Sequence, residues 1–300
     1  MSLLPQDLQR VSHVYKVADG KDLCLDVIGP HEPDGRRPGV MWIHGGGLIF
    51  GSRKNSPRDS LLQALVSRGF VVVSIDHRLA PESKLPDIVD DVRDAWRWLH
   101  EAGPSCVGIA AENCAILGAS AGGYLALMGG YLFDPRPAAV ASFFGFGDIT
   151  ASWEADPSPY YCTMDLVTRK QALESLRTPP PEGLDRSTFY LYCRQQGRWL
   201  PEVTANDPRE DPGWFDPYCP VRNVTPCFPP TILVHGTEDN DVPHDESVKL
   251  AQALSERAVR HRFLSLSGIG HGFANAQPTN VQRVEAEVAD FLRSILISGV

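Results

Sequence analysis

Gly118-Ala119-Ser120-Ala121-Gly122 lies between two apolar runs, Cys114-Ala115-Ile116-Leu117 and Tyr124-Leu125-Ala126-Leu127-Met128. The first is short and reads as a buried strand, and the second reads as a helix. A Gly-x-Ser-x-Gly pentapeptide at a strand-to-helix turn lifts a serine oxygen off the backbone and into a pocket. The small neighbours have a physical reason, because such a turn is strained and bulky residues would strike the adjacent strand and helix. A five-residue pattern with three fixed positions recurs by chance, so its weight comes from three other segments.

The first of these is His44-Gly45-Gly46-Gly47, which follows the strand-like Pro38-Gly39-Val40-Met41-Trp42-Ile43. Consecutive glycines let backbone N–H groups turn toward a bound oxygen without Cβ interference, which is how an oxyanion hole is built. The amides expected to form it are those of Gly46, Gly47 and Ala121. A phosphate loop would instead show Gly-x-Gly-x-x-Gly, or a Gly-Lys-Ser/Thr continuation, and neither is present.

The other two segments supply an acid and a base. Thr231-Ile232-Leu233-Val234-His235-Gly236 is strand-like and runs into the acidic loop Thr237-Glu238-Asp239-Asn240-Asp241-Val242-Pro243. Ser267-Gly268-Ile269-Gly270-His271-Gly272-Phe273 follows the apolar stretch Phe263-Leu264-Ser265-Leu266. A serine hydroxyl is a weak nucleophile that needs an adjacent base. Imidazole takes and returns a proton near neutral pH, and a carboxylate fixes its tautomer. Of nine histidines, only His271 falls after the last expected strand and before the last helix. His44 reads as a structural hydrogen-bonder and His235 as packing under the acidic loop. His13, His31, His100 and His261 read as solvated, and His77 and His244 as bordering the pocket. Asp239 is the first choice for the acid. Asp241 is the alternative, and its bland role is to cap the loop or the helix after Pro243.

The order Ser120, Asp, His271 and the four motifs together resemble the α/β-hydrolase superfamily, and more narrowly the hormone-sensitive-lipase-like esterases. His44 to Gly47 matches that family's His-Gly-Gly-Gly motif. Asp76-His77-Arg78-Leu79-Ala80-Pro81-Glu82 is close to its Tyr-Arg-Leu-Ala-Pro-Glu motif, with His77 in place of tyrosine. Gly118 to Gly123 matches the Gly-Asp-Ser-Ala-Gly-Gly elbow, with Ala119 in place of the acidic residue, and His271-Gly272-Phe273 matches the His-Gly-Phe ending. The acid loop departs from the family's Asp-Pro-Leu. It looks more like that of feruloyl/acetyl-xylan esterases, kynurenine formamidases and dipeptidyl-peptidase-type hydrolases. There the first aspartate of Asp-x-x-Val-Pro is the acid, which again selects Asp239. Arg78 and Glu82 are expected to hold their loop to neighbouring carboxylates rather than touch substrate.

What the resemblance implies is a serine carboxylesterase acting on a small-molecule ester of short to medium acyl length, with no metal or organic cofactor. An amide hydrolase of formamidase or small-peptidase type is the alternative. A non-catalytic receptor built on a hydrolase is a third reading, disfavoured because such proteins lose the base. A homodimer rests on family habit alone.

The length of 300 residues suits one large α/β domain with an insertion. The expected architecture is an α/β-hydrolase fold: a mostly parallel sheet with helices on both faces, formed by residues 1–149 and 229–300. Val40–Ile43 and Phe70–Ile75 read as buried parallel strands, residues 11–28 as a hairpin turning at Asp19-Gly20, and Asp87–His100 as an amphipathic helix. Ligands bind at the carboxyl ends of the strands in such sheets, and all four motifs follow strands. Residues 150–228 break the rhythm with prolines and aromatics and are expected to form a cap over the site, between the sixth and seventh strands.

A net charge of −9 argues against nucleic acid and anionic membranes as partners. Met1–Asp7 shows no signal peptide, and no run approaches the ~18 apolar residues of a membrane span. Seven cysteines without paired metal spacing suggest reduced thiols and a cytoplasmic protein.

Overall fold

The continuous apolar runs of the sequence become the strands of one eight-stranded sheet. The structure, a computed structural model, describes residues 8–29, 36–55 and 57–297. In chain order its elements are β1 (Gln9–Ala18), β2 (Lys21–Gly29), β3 (Arg37–Ile43), α1 (Asp59–Ser67), β4 (Val71–Ile75), α2 (Leu85–Glu101), α3 (Gly103–Val107), β5 (Ile109–Ala119), α4 (Ala121–Leu132) and β6 (Ala139–Phe143). After β6 come α5 (Ser152–Ala155), α6 (Arg169–Glu174), α7 (Arg186–Gln196) and α8 (Trp199–Thr204), then β7 (Thr231–Gly236), α9 (Asp245–Glu256), β8 (His261–Leu266) and α10 (Pro278–Leu296).

The spatial order is β1-β2-β4-β3-β5-β6-β7-β8. The β1–β2 and β2–β4 pairs are antiparallel and every other neighbouring pair is parallel. The hairpin β1–β2 turns at Asp19 and Gly20, both at positive φ (51° and 71°), as a two-residue hairpin demands.

Side-chain alternation divides the core into two layers. Met41 and Ile43 of β3, Val73 and Ile75 of β4 and Ile116 of β5 face one side, where α2, α4 and α9 pack. Val40 and Trp42, Val72, Ala115 and Leu117 face the other, where α1 and α10 pack. Burial on both faces explains why these strands read as unbroken apolar runs. In α2, Ile88, Val92, Ala95, Trp96 and Leu99 are buried on one stripe. The Trp96 indole donates to the Pro135 carbonyl at 2.7 Å, so this large ring is satisfied within the core.

Two boundaries move. α2 begins two residues earlier than the periodicity predicts, because Pro86 is tolerated in the first helical turn and Leu85 is fully buried. The strand before Ser120 begins at Ile109 rather than Cys114. There Arg37 and Pro38 pair with Ile109 and Ala110, before a register shift at Gly39. The polar Glu112-Asn113 at that irregularity breaks the apolar signal. His13 also departs from a solvated reading: it lies 5.1 Å from the Trp98 ring, and its Nε2 is buried without a hydrogen-bond partner. His31 lies outside the described residues, and so do residues 1–7 of the short arm that residues 1–10 would form over the site; Gln9 and Arg10 instead open β1.

Residues 150–228 lie between β6 and β7 and carry α5 to α8. Phe189, Trp199 and Phe215 of this segment join the same buried layer as α2 and α4. Its polar ties reach the loops after β3 and β4. The Trp199 indole donates to the Gly47 carbonyl at 2.7 Å, Arg186 Nε to the Ile49 carbonyl at 2.6 Å, and the Arg186 guanidinium to Glu82 at 2.9 and 2.7 Å.

Candidate active site

Every glycine of the elbow has a neighbour that a side chain would strike. A Cβ on Gly118 would overlap the Gly122 carbonyl, one on Gly122 would overlap the carbonyls of Ile43 and His44, and one on Gly123 would lie 2.7 Å from Ser142 Oγ. This tight crossing of β5, α4 and β3 leaves Ser120 at φ 54°, ψ −124°, a strained conformation for a residue with a side chain. Hydrogen bonds hold it there: the Ser120 N–H donates to the Phe143 carbonyl at 2.8 Å, and its carbonyl accepts from the Tyr124 N–H at 3.0 Å.

His271 enters on the loop after β8. Its Nε2 is 3.1 Å from Ser120 Oγ and its Nδ1 is 2.7 Å from Asp239 Oδ2. The Phe144 ring meets the imidazole edge-on, with centroids 4.8 Å apart. The Asp239 side chain is fully buried. Its Oδ1 accepts from the amides of Asp241 and Val242, both at 2.9 Å, and His235 Nε2 lies 3.2 Å from Oδ2. Burial alone would raise this carboxyl. The hydrogen bonds from His235, His271 and the Val242 amide outweigh it and hold the group well below the usual carboxylate range. The same contact acts in reverse on His271. Burial pushes its imidazole down, but the hydrogen bond to Asp239 and the charges of Asp241 and Asp239 raise it above the ordinary value.

His235 donates and accepts beneath the acidic loop, with Nδ1 2.8 Å from Ser247 Oγ and Nε2 3.0 Å from the Val242 carbonyl. His44 is buried, and its Nδ1 is 2.7 Å from the Gly45 carbonyl. Burial and neighbouring His77 push it down to about 3, so it carries no charge at neutral pH. Gly51 is where it is because any Cβ there would collide with the His44 ring. His77 does not border the pocket: it stacks on His44 at 4.4 Å, behind the glycine loop. His244 also turns away, toward Ser265 Oγ at 2.8 Å. Arg78 holds its loop as expected, with Nε and Nη2 on the two oxygens of buried Asp91 at 2.8 and 3.0 Å.

The glycine loop is fixed from both sides. The Gly46 carbonyl accepts from the amides of Ile49 and Phe50 at 2.9 and 3.0 Å, and the Gly45 carbonyl faces His44. A planar trans peptide points its N–H opposite its carbonyl, so the amides of Gly47 and Gly46 are aimed away from the turn and from His44. Gly46 and Gly47 sit at φ 112° and 57°. Ala121 is the first residue of α4, so its N–H has no partner within the helix.

These groups open onto a cavity of about 450 Å³ lined by Gly46, Gly47, Phe50, Ser120, Tyr161, Met164, Ser187, Tyr190, Leu191, Asp241 and His271. Five of those residues come from the 150–228 segment. Asp241 is the main departure from the sequence reading. It caps neither the loop nor a helix; Asp239 accepts the loop amides instead. Asp241 Oδ1 accepts from the Tyr190 hydroxyl at 2.8 Å, and Oδ2 stands 3.7 Å from His271 Nε2. Behind it lies Arg194, 2% exposed. Arg194 donates to Glu154 at 2.5 Å and to the Asp241 carbonyl at 3.2 Å, with its guanidinium over the Trp153 and Tyr161 rings. Burial lifts the Glu154 carboxyl to about 8 even beside this cation. No short-range signal marks Arg194 or Tyr190 as partners of the acidic loop, because they meet Asp241 across 47 and 51 residues of chain, and Glu154 meets Arg194 across 40.

The chain belongs to the alpha/beta hydrolase fold family, whose model matches residues 40–275. A region of the non-reducing polyketide synthase Preu6 of Preussia isomera is 32% identical over 302 residues, covering 86% of this chain and 13% of the synthase. The chain therefore spans about an eighth of that relative's length. Among solved structures, a Staphylococcus aureus protein of unknown function superposes with a TM-score of 0.75 at 24% identity, over 95% of this chain and 99% of that one. The butyrate-bound esterase Est2 of Thermogutta terrifontis superposes with a TM-score of 0.68 at 21% identity, over 95% and 93%. Among the described residues, no helix is long and apolar enough to cross a membrane.

Proposed function

We propose that this protein is a serine carboxylesterase that hydrolyses esters of short to medium acyl chains through an acyl-enzyme. The observation that carries the reading is the hydrogen-bonded series Ser120–His271–Asp239 at the edge of the cavity.

Ser120 Oγ attacks the ester carbonyl while His271 Nε2 takes its proton. Asp239 keeps the remaining imidazole proton on Nδ1 and offsets the imidazolium charge. The carbonyl oxygen becomes an oxyanion held by the N–H groups of Gly46, Gly47 and Ala121, which cost little reorganisation because their peptides are already fixed. Collapse expels the alcohol, which receives the proton from Nε2 and leaves the acyl group on Ser120. Water repeats the sequence and releases the acid. Residues 150–228 act as a cap: Tyr161, Met164, Tyr190 and Leu191 close the cavity from above and exclude bulk water.

The test is hydrolysis of p-nitrophenyl esters from acetyl to dodecanoyl by the wild type and Ser120→Ala in parallel. The reading expects turnover that falls steeply beyond butanoyl or hexanoyl and vanishes in the variant. Turnover that persists in Ser120→Ala, or is absent from the wild type with every ester, overturns it.

The match to part of a polyketide synthase supports a second reading of the substrate, in which the acyl group cut is a polyketide held as an ester or thioester. Faster cleavage of aromatic acyl thioesters than of alkyl p-nitrophenyl esters is its expected result. Equal or slower cleavage counts against it.

A further inference from the structure

Asp241 has no part in the serine–histidine–aspartate series, yet it stands at the nitrogen that hands the proton to the leaving group. One carboxylate oxygen is occupied by the Tyr190 hydroxyl at 2.8 Å. The other stands 3.7 Å from His271 Nε2, a separation too long for a good hydrogen bond. The Asp241 carbonyl is tied to Arg194, whose Nη2 also lies 3.8 Å from Oδ1. Arg194 is itself gripped by Glu154, Trp153 and Tyr161. The carboxylate is therefore held by Tyr190 and Arg194, with the Tyr161 hydroxyl also against it, and Asp241 lines the cavity together with Ser120 and His271.

The leaving atom must come within about 2.6–3.2 Å of Nε2 to take its proton. An oxygen 3.7 Å from the same nitrogen shares that nitrogen's surroundings with the leaving atom. A carboxylate there has nothing to offer an alkyl or bare aryl leaving group. It accepts a hydrogen bond from one that brings its own donor, and a bond to a charged acceptor is stronger than one between neutral groups.

We infer that Asp241 is a specificity-determining residue that selects substrates whose leaving group carries a hydrogen-bond donor at or beside the leaving atom. Two kinds of leaving group share that chemistry: the free hydroxyl of a diol or polyol monoester, and the N–H of an amide. The inference rests on the serine hydrolase reading of the same site.

The experiment compares kcat/KM for 2-hydroxyethyl butyrate with that for propyl butyrate, which differ by one hydroxyl in place of a methyl. A second arm compares p-nitrobutyranilide with p-nitrophenyl butyrate. Each is run with the wild type, Asp241→Asn and Asp241→Leu. The hydroxyethyl ester is expected to be favoured by about tenfold in the wild type. That ratio should fall to within about twofold in Asp241→Leu. In the second arm, anilide turnover should fall more than ester turnover when Asp241 is replaced, if the donor is an amide N–H. A role that merely holds Tyr190 in place would lower all substrates together and leave both ratios alone. If Asp241→Leu does not fold, the isosteric Asp241→Asn is read in its place, and the wild-type ratios stand without any variant. Flat ratios in both arms, or a preference that survives the substitutions, overturn the inference while Ser120-dependent turnover of p-nitrophenyl butyrate persists. Loss of that turnover in the wild type overturns the hydrolase reading, and this inference with it.

Discussion

Gly47→Ala should damage activity through Tyr190 of the 150–228 segment, and the structure says by how much. A Cβ at Gly47 would stand 2.6 Å from Tyr190 Cδ2 and closer still to Cε2. The ring must retreat by about 1 Å to reach ordinary contact distance, yet its hydroxyl is anchored on Asp241. Overpacking of this kind costs about 1–3 kcal/mol, and alanine at φ 57° adds about 1 kcal/mol more. The total of about 2–4 kcal/mol corresponds to a drop in Tm of roughly 4–16 °C for a chain of this size. The peptide carrying the Gly47 amide shifts with it, so kcat/KM should fall about 10- to 100-fold, on the scale of losing most of one oxyanion donor. The decisive assay is a double-mutant cycle read by calorimetry and ester hydrolysis. In Tyr190→Ala the obstructing ring is gone, so Gly47→Ala should then cost only the backbone term, about 1 kcal/mol. Additive effects of the two substitutions would refute the reasoning, because they would mean that the Tyr190 ring does not lie over the glycine loop.

Other outcomes follow from individual contacts. Asp239→Asn cannot accept from His271, His235 and two backbone amides at once, so kcat should fall by about 10⁴, measured by steady-state ester hydrolysis with folding checked by circular dichroism. In the proposed mechanism the base must be neutral to take a proton from Ser120, and His271 is raised above its ordinary value of 6.5. The acid limb of kcat/KM should therefore have its midpoint above that value, and Asp241→Asn, which removes one raising charge, should move it to lower pH in a pH–rate profile. Arg194→Met removes a buried guanidinium that donates to Glu154 and to the Asp241 carbonyl, and should cost about 1–3 kcal/mol by denaturant unfolding. Glu154 is held near 8 in the folded state, well above its ordinary value of 4.5. Stability then falls as pH rises between those limits; Arg194→Met removes the charge that lowers this carboxyl, so the fall should continue above pH 8 in the variant and its deficit should grow there. Gly122→Ala drives a Cβ into the carbonyls of Ile43 and His44 and should give little soluble protein on expression.

How much of this was legible in the sequence depends on the range of the forces involved. The turn at Ser120 was readable because its glycines are dictated by backbone collisions within a few residues and across one adjacent strand, leaving no other residue type at Gly118 or Gly122. The strands were readable because burial on both faces demands unbroken apolar runs, and α2 because its buried stripe follows the helical period. The start of β5 was not, since Glu112 and Asn113 sit at a register shift that hides the strand. The direction of Asp241 was hidden for a different reason. Asp239 gathers the amides of Asp241 and Val242 and turns the loop, so two carboxylates that are close in sequence face opposite nitrogens of one imidazole. The outcome is fixed by Tyr190 and Arg194, which reach Asp241 from 51 and 47 residues away. Composition marked residues 150–228 as ordered and aromatic, but which of its rings line the cavity is set by where Arg186 and Trp199 fasten it to the loops after β3 and β4.

The central claim is that Ser120 forms a covalent bond to the group it attacks. Exposure to a serine-directed organophosphate such as paraoxon, followed by intact-mass analysis and peptide mapping, tests it directly. The account predicts one diethylphosphoryl adduct per chain, located on Ser120, forming in step with loss of ester hydrolysis and absent from Ser120→Ala. An unmodified chain, or an adduct on any other residue while activity is lost, would contradict it.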